Sequence, residues 1–163
     1  MPNKSAPAKP ASPASTPPAL TKGHCLCRAI QYEFEGKPNF VSYCHCESCR
    51  RHTSSSVATF VGVKLDQFRY LEGTPASYQS SPGVWRYFCP TCGSPMAYTN
   101  DASWPGEVHL YLGTLEHPEK FVPTGHVHIN EQVPWFEVED KLPRFEKSGE
   151  SGQPARHGPK LRG

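Results

Sequence analysis

Seven cysteines constrain this chain more than any other feature. They are not spread along its 163 residues but gathered as Cys25-Leu26-Cys27, Cys44-His45-Cys46-Glu47-Ser48-Cys49 and Cys89-Pro90-Thr91-Cys92. An odd number so tightly grouped does not make a disulfide framework; C-x-C and C-x-x-C are spacings at which thiolates converge on one soft ion. Thiolates select zinc, copper(I) or iron–sulfur clusters, and structural zinc contributes roughly 10–16 kcal/mol of apparent binding energy to a domain that folds around it. The total divides as four plus three. A closed tetrahedral zinc takes four protein ligands and a reactive one commonly takes three plus water or substrate, so the count predicts two zinc ions per chain, one structural and one accessible. The spacing leaves open which groups join.

Eighteen prolines and thirteen glycines argue against long helices and for short strands joined by tight turns. With 36% hydrophobic and 20% charged residues the chain suits one domain of modest core. Its 17 Lys+Arg against 15 Asp+Glu leave +2, too little to imply a nucleic-acid or membrane surface. No apolar run approaches the roughly 20 residues of a membrane span, and the first residues lack the apolar centre of a secretory signal. Together with metal-type cysteine spacing, which belongs to a reducing compartment, this predicts a cytoplasmic protein.

Taken in order, residues 1–20 are rich in Pro, Ala and Ser and residues 148–163 in Gly, Pro and basic side chains. Neither buries enough apolar surface to offset the entropy of ordering, so both read as disordered tails around a domain at 21–147. Ile30, Tyr32 and Phe34 alternate with polar residues as in a half-buried strand, and Cys25 and Cys27 would share a face if that segment were extended. The spacing of Cys46 and Cys49 needs a turn or a first helical turn over 47–52. Another strand is expected over 56–63, then a hairpin around Ser81-Pro82-Gly83 whose second arm delivers Cys89. Gly93 can take the positive φ that a Cys89–Cys92 knuckle requires. Alternation at Val108, Leu110 and Leu112 marks a further strand, and a helical turn is expected around Pro118. His126 and His128 read as packed or hydrogen-bonded strand histidines and not as ligands, since the thiols already supply four plus three. Trp135 and Phe136 read as core or pocket wall.

Together G-H-C-L-C-R-A-I-Q-Y, C-H-C-E-S-C-R-R, F-C-P-T-C-G-S-P and H-V-H-I-N-E-Q-V-P-W-F resemble the glutathione-dependent formaldehyde-activating (GFA) family over residues 23–145. The resemblance implies a mainly β fold: a small antiparallel zinc-containing domain of the β-tent type with few short helical turns. Related domains occur in centromere protein V. It places Cys25, Cys27, Cys89 and Cys92 around a structural zinc and Cys44, Cys46 and Cys49 around a catalytic one. The family's histidine before the Pro-Trp motif falls on His126. One departure is Arg28, where the family usually has glycine after the second cysteine.

The resemblance also implies an activity, a carbon–sulfur lyase that joins glutathione sulfur to formaldehyde as S-hydroxymethylglutathione, or the reverse. A three-thiolate zinc with a free position can hold a substrate thiol as thiolate, although a free thiol, with pKa near 8.5, is mostly protonated at neutral pH. Three thiolates leave the zinc complex at net −1, which favours thiolate exchange over water activation. Arg50, Arg51, His52 and Lys64 are candidates to offset that charge or to receive glutathione carboxylates. His45, between two ligands, would point away if it lay opposite them on a strand. The expected partner is a small-molecule thiol such as glutathione, or a related small thiol adduct. No membrane is implied, the absence of aromatic–basic interleaving argues against nucleic acid, and nothing specifies an oligomer. The alternative is a non-catalytic, zinc-stabilised binding module, in which a fourth ligand closes the three-cysteine site.

Overall fold

The alternation of apolar residues becomes two sheets in the computed structural model, which describes residues 20–149 and 154–157. A three-stranded antiparallel sheet pairs β1 (Leu20–His24) with β2 (Gln31–Glu35) and β2 with β5 (Phe68–Glu72). The larger sheet has nine strands. Its antiparallel body runs β3 (Phe40–Cys44), β4 (Ala58–Lys64), β9 (Glu107–Tyr111), β8 (Pro95–Asn100), β7 (Val84–Phe88) and β6 (Ala76–Ser81). On the other side of β3 lie three two-residue strands, β10 (His126–Val127), β11 (Pro143–Arg144) and β12 (Arg156–His157), with β10 parallel to both β3 and β11. The protein is thus mainly β, as expected, with a parallel junction inside its antiparallel frame. The α-helix α1 spans Glu47–Thr53, and short 3-10 turns include Pro118–Lys120, at the expected proline.

β12 falls in the stretch expected to be a C-terminal tail, and Leu20 already opens β1. The remainder of the two tail expectations, residues 1–19, 150–153 and 158–163, lies outside the described residues.

The core sits between the sheets. Ile30, Tyr32 and Phe34 from the small sheet meet Val61, Val63, Met96, Val108 and Leu110 from the large one, all almost completely buried. Because side chains alternate across a strand, the residues between them face the other way. On β4 Val61 and Val63 join the core while Phe60 joins a second cluster with Cys44, Cys49, Ala58 and Tyr111. On β9, likewise, Val108 and Leu110 go to the core and Tyr111 to the second cluster. β9 is therefore buried on both faces, more than its period-two pattern suggested, because it lies in the middle of the large sheet. One face builds the core and the other carries Cys44 and Cys49.

Gly62 shows how closely that second face is fitted. It lies opposite Phe40 on β3 and His109 on β9, and the Phe40 ring occupies the space that a Cβ would need. Phe40 thereby sits edge-on to His109, ring centroids 4.8 Å apart.

Candidate metal centre and its cavity

Cys25 and Cys27 are brought together by a turn and not by an extended strand. The Arg28 amide donates to the Cys25 carbonyl at 3.0 Å, and Arg28 takes a left-handed φ of 63°. Cys89 and Cys92 are folded back by the same device, with the Gly93 amide on the Cys89 carbonyl at 2.9 Å and φ 75°. Each knuckle therefore ends in a left-handed residue directly after its second cysteine, which is glycine in one and arginine in the other. Ser94 ties them: its hydroxyl accepts from the Leu26 amide at 3.0 Å and lies 3.2 Å from Cys92 Sγ. That hydroxyl, before the backbone amides, draws the Cys92 thiol down to about 5.

The four sulfurs of Cys25, Cys27, Cys89 and Cys92 lie within 4.8 Å of one another. A zinc–sulfur bond of about 2.3 Å in a tetrahedron spaces sulfurs about 3.8 Å apart. Cys25 to Cys27 is 3.5 Å and Cys27 to Cys89 is 3.8 Å, so this donor set fits a thiolate-binding ion of that size.

The second group is Cys44, Cys46 and Cys49, again with sulfurs within 4.8 Å; no fourth Cys, His, Asp or Glu joins it among the described residues. β3 ends on Cys44, the chain stays extended through Cys46, and α1 begins, so the third sulfur arrives from the helix's first turn. Cys46 is itself the N-cap, its sulfur accepting from the Cys49 amide at 3.3 Å. The thiols from Cys44 and Cys49 donate to Cys46 and hold it far below the thiol range. Cys44 is pushed well up, first by that same bond to Cys46. Cys49, although lowered by Cys44, is raised to about 11 by Cys46 and by burial. A dication would let all three ionise, with release of protons.

The structure places the other sequence candidates in different settings. His45 points away from the sulfurs, as its alternation implied, and is completely buried. Its Nε2 shares a hydrogen bond of 2.9 Å with His126 Nδ1, and His126 Nε2 lies 3.0 Å from Asp140 Oδ2. Asp140 accepts only, so His126 carries its proton on Nε2 and accepts from His45. Arg144, also buried, closes the chain by donating to Asp140 Oδ1 at 3.0 Å. Burial depresses both imidazoles, His45 to about 4. The network anchors the ring of His45 and so turns its two cysteine neighbours toward the opposite side. Arg50 is committed to the His45 and Glu131 carbonyls, and Arg51 to Glu47 four residues back on α1. His52 lies between Tyr78 and Tyr111, and Lys64 is exposed. His128 adopts φ 57° beside Glu131. Trp135, expected as core or pocket wall, is instead 70% exposed in a turn, its ring contact among the described residues being Phe136 at 6.3 Å.

The cation that does face the sulfurs is Arg86, on β7. Only 3% exposed, it directs both terminal nitrogens at Cys49 Sγ, each at 3.8 Å, and donates to the Tyr111 hydroxyl at 3.2 Å and Ser80 Oγ at 3.1 Å. Its guanidinium also lies 5.3 Å from the centroid of Tyr98. The sequence held a signal for it: Val84 and Phe88 set an apolar register in which Arg86 is the charged intruder.

Cys44, Cys46, Cys49 and Arg86 all line one cavity of about 700 Å³, walled by Phe40, Phe60, Tyr98 and Trp104 and edged by Glu107 and Glu131. Its volume suits a small organic molecule. The surrounding side chains offer what a thiolate-bound ion with a free position needs: a buried positive charge, an aromatic wall and a way in.

Residues 20–131 match the family model for glutathione-dependent formaldehyde-activating enzyme. Over 81 residues the chain is 36% identical to an uncharacterized lyase of Schizosaccharomyces pombe, a match covering 48% of this chain and 58% of that protein. It therefore spans little more than half the length of this relative. A crystal structure of a Rhodobacter sphaeroides protein is similar with a TM-score of 0.50 at 27% identity, covering 58% of this chain and 87% of that one.

Proposed function

The chain belongs to the glutathione-dependent formaldehyde-activating enzyme family, and we propose on that premise that it is a zinc-dependent carbon–sulfur lyase acting on a small thiol adduct. In the direction of the family's name, a thiol sulfur bonds to a carbonyl carbon, the carbonyl π bond breaks, and the thiol proton ends on oxygen. The reverse restores thiol and aldehyde. Glutathione and formaldehyde are the pair that the family name supplies, with S-hydroxymethylglutathione as the adduct. In this reading Cys25, Cys27, Cys89 and Cys92 hold a structural zinc, and Cys44, Cys46 and Cys49 hold a catalytic one.

The observation that carries the proposal is the set of three sulfurs facing a cavity with no fourth ligand among the described residues. A bound zinc there would supply stabilisation of a substrate thiolate at neutral pH. The chain's own groups do the rest. Cys44, Cys46 and Cys49 fix the metal position, Arg86 offsets the negative charge that three thiolates leave, and the ring wall keeps water from competing at the carbonyl carbon.

The test is zinc per chain for the parent protein and for Cys46→Ser, with thiol–aldehyde turnover followed in parallel. Two zincs falling to one, with the fold intact and turnover lost, is the expected result. Melting of Cys49→Ser should stay near the parent while Cys92→Ser unfolds. Two zincs that exchange with no thiol, and no turnover, would replace the lyase by the closed binding module.

A further inference from the structure

The wall of the cavity is built of rings and its edge carries acid. Phe60 packs with Cys44 and Cys49, and from it the rings continue through Tyr98 at 5.9 Å and His109 at a further 5.4 Å. Phe40 then joins His109 to Trp104, with its centroid 6.0 Å from the indole. A ring-bearing group placed there finds offset and edge-on partners along its whole length.

Charge is distributed the other way. Glu107 and Glu131 both line the cavity, whereas Arg86 is the one lysine or arginine among the described lining residues. Arg86 is already engaged by Cys49, Tyr111 and Ser80. Glu107 accepts from the Asn39 amide at 2.7 Å, and Glu131 from the Glu47 backbone amide at 2.8 Å. Glutathione carries two carboxylates against one ammonium, so it would bring net negative charge to a site with no uncommitted guanidinium or ammonium to receive its carboxylates.

We infer that the cavity takes adducts of uncharged thiols with an apolar, ring-bearing or branched body, and discriminates against dicarboxylate thiols. The inference deepens the lyase reading and rests on its open three-sulfur site. The chemical step is unchanged. The carbon–sulfur bond of the adduct breaks, the hydroxyl oxygen forms the carbonyl, and its proton passes to the departing sulfur.

Cobalt(II) in place of zinc gives a readout independent of turnover, because its visible absorption changes when a thiolate takes a fourth position, while a closed four-sulfur site contributes a constant background. The full chain, loaded with cobalt, is titrated with benzyl mercaptan, glutathione and glutathione diethyl ester. Benzyl mercaptan should bind about tenfold more tightly than glutathione, with the diethyl ester in between. Trp104→Ala should weaken benzyl mercaptan about fivefold, and Glu107→Gln should strengthen glutathione about threefold while leaving benzyl mercaptan unchanged. Glutathione binding as tightly as benzyl mercaptan would overturn the inference and leave the open site standing. A preference that neither substitution alters would also overturn it, since the cavity wall would not be its source. A cobalt spectrum that no thiol changes would remove the open site and the lyase reading together.

Discussion

Arg86 provides a quantitative test of how the three-sulfur site is held. Two unit charges about 4 Å apart interact by about 4 kcal/mol at an effective dielectric near 20. Arg86 lies 3.8 Å from Cys49 Sγ. A dication with three thiolates has net charge −1 shared over three sulfurs, so roughly a third of that energy, about 1.4 kcal/mol, reaches the guanidinium through Cys49. Arg86→Met should therefore weaken metal binding at Cys44, Cys46 and Cys49 about tenfold. Competition with a chromophoric chelator resolves the two sites, and the four-sulfur site should keep its affinity. Arg86→Lys, which keeps the charge but not the planar fork, should fall between parent and Met. The Tyr111 hydroxyl loses its donor in the Met variant, a separate cost of about 1 kcal/mol that belongs to the thermal melt and not to the chelator curve. Unchanged affinity at the three-sulfur site, or an equal fall at both, would refute the electrostatic reasoning.

Arg28→Gly should stabilise the protein. A left-handed conformation costs a non-glycine residue about 1–2 kcal/mol, glycine returns about 0.5–1 kcal/mol of that to the unfolded chain, and the exposed Arg28 at φ 63° should gain the difference, a rise of a few degrees in Tm; a lower Tm would show that the side chain is doing something else. His109 gives a pH dependence: burial depresses it from 6.5 despite Glu107, so its neutral form stabilises the fold fully above about 6.5, and that contribution is lost as pH falls toward the depressed value. His109→Phe should flatten the acid side of the stability curve measured by denaturant titration between pH 7 and 5; an unaltered slope would exclude His109 as its source.

The metal arithmetic was legible because cysteine spacing is local. C-x-C and C-x-x-C announce converging sulfurs whatever surrounds them, and the group of three stands apart from the group of four in space as it does in count. Gly93 at φ 75° and the turn through Pro118 were equally local. The extended reading of Cys25 to Cys27 failed because two sulfurs can meet through a same-face strand or through a turn, and only the αL geometry at Arg28 decides it. Arg86 shows where sequence reasoning ran short. Basic residues next to the cysteines in sequence were the natural partners to expect, but Arg50 and Arg51 turn to carbonyls and to Glu47, and the partner comes from strand pairing tens of positions away. The His45–His126–Asp140–Arg144 chain was invisible for the same reason, since it depends on β10 lying parallel to β3. Trp135 differs from the expectation because an indole in the turn after Pro134 has no strand register to carry it inward.

β7 carries Arg86 at its middle and delivers Cys89 at its end, three positions on, about 10 Å along an extended chain. During synthesis Cys44, Cys46 and Cys49 emerge long before residue 86, so a metal reaching them first would be held by three sulfurs with no guanidinium against Cys49. Once Cys89 and Cys92 close on Cys25 and Cys27, the end of β7 is pinned and Arg86 is set in register against Tyr98 on β8. An ion held by the knuckle would thus also hold Arg86 against Cys49, and emptying the knuckle should weaken the three-sulfur site by no more than the roughly tenfold that Arg86 is worth.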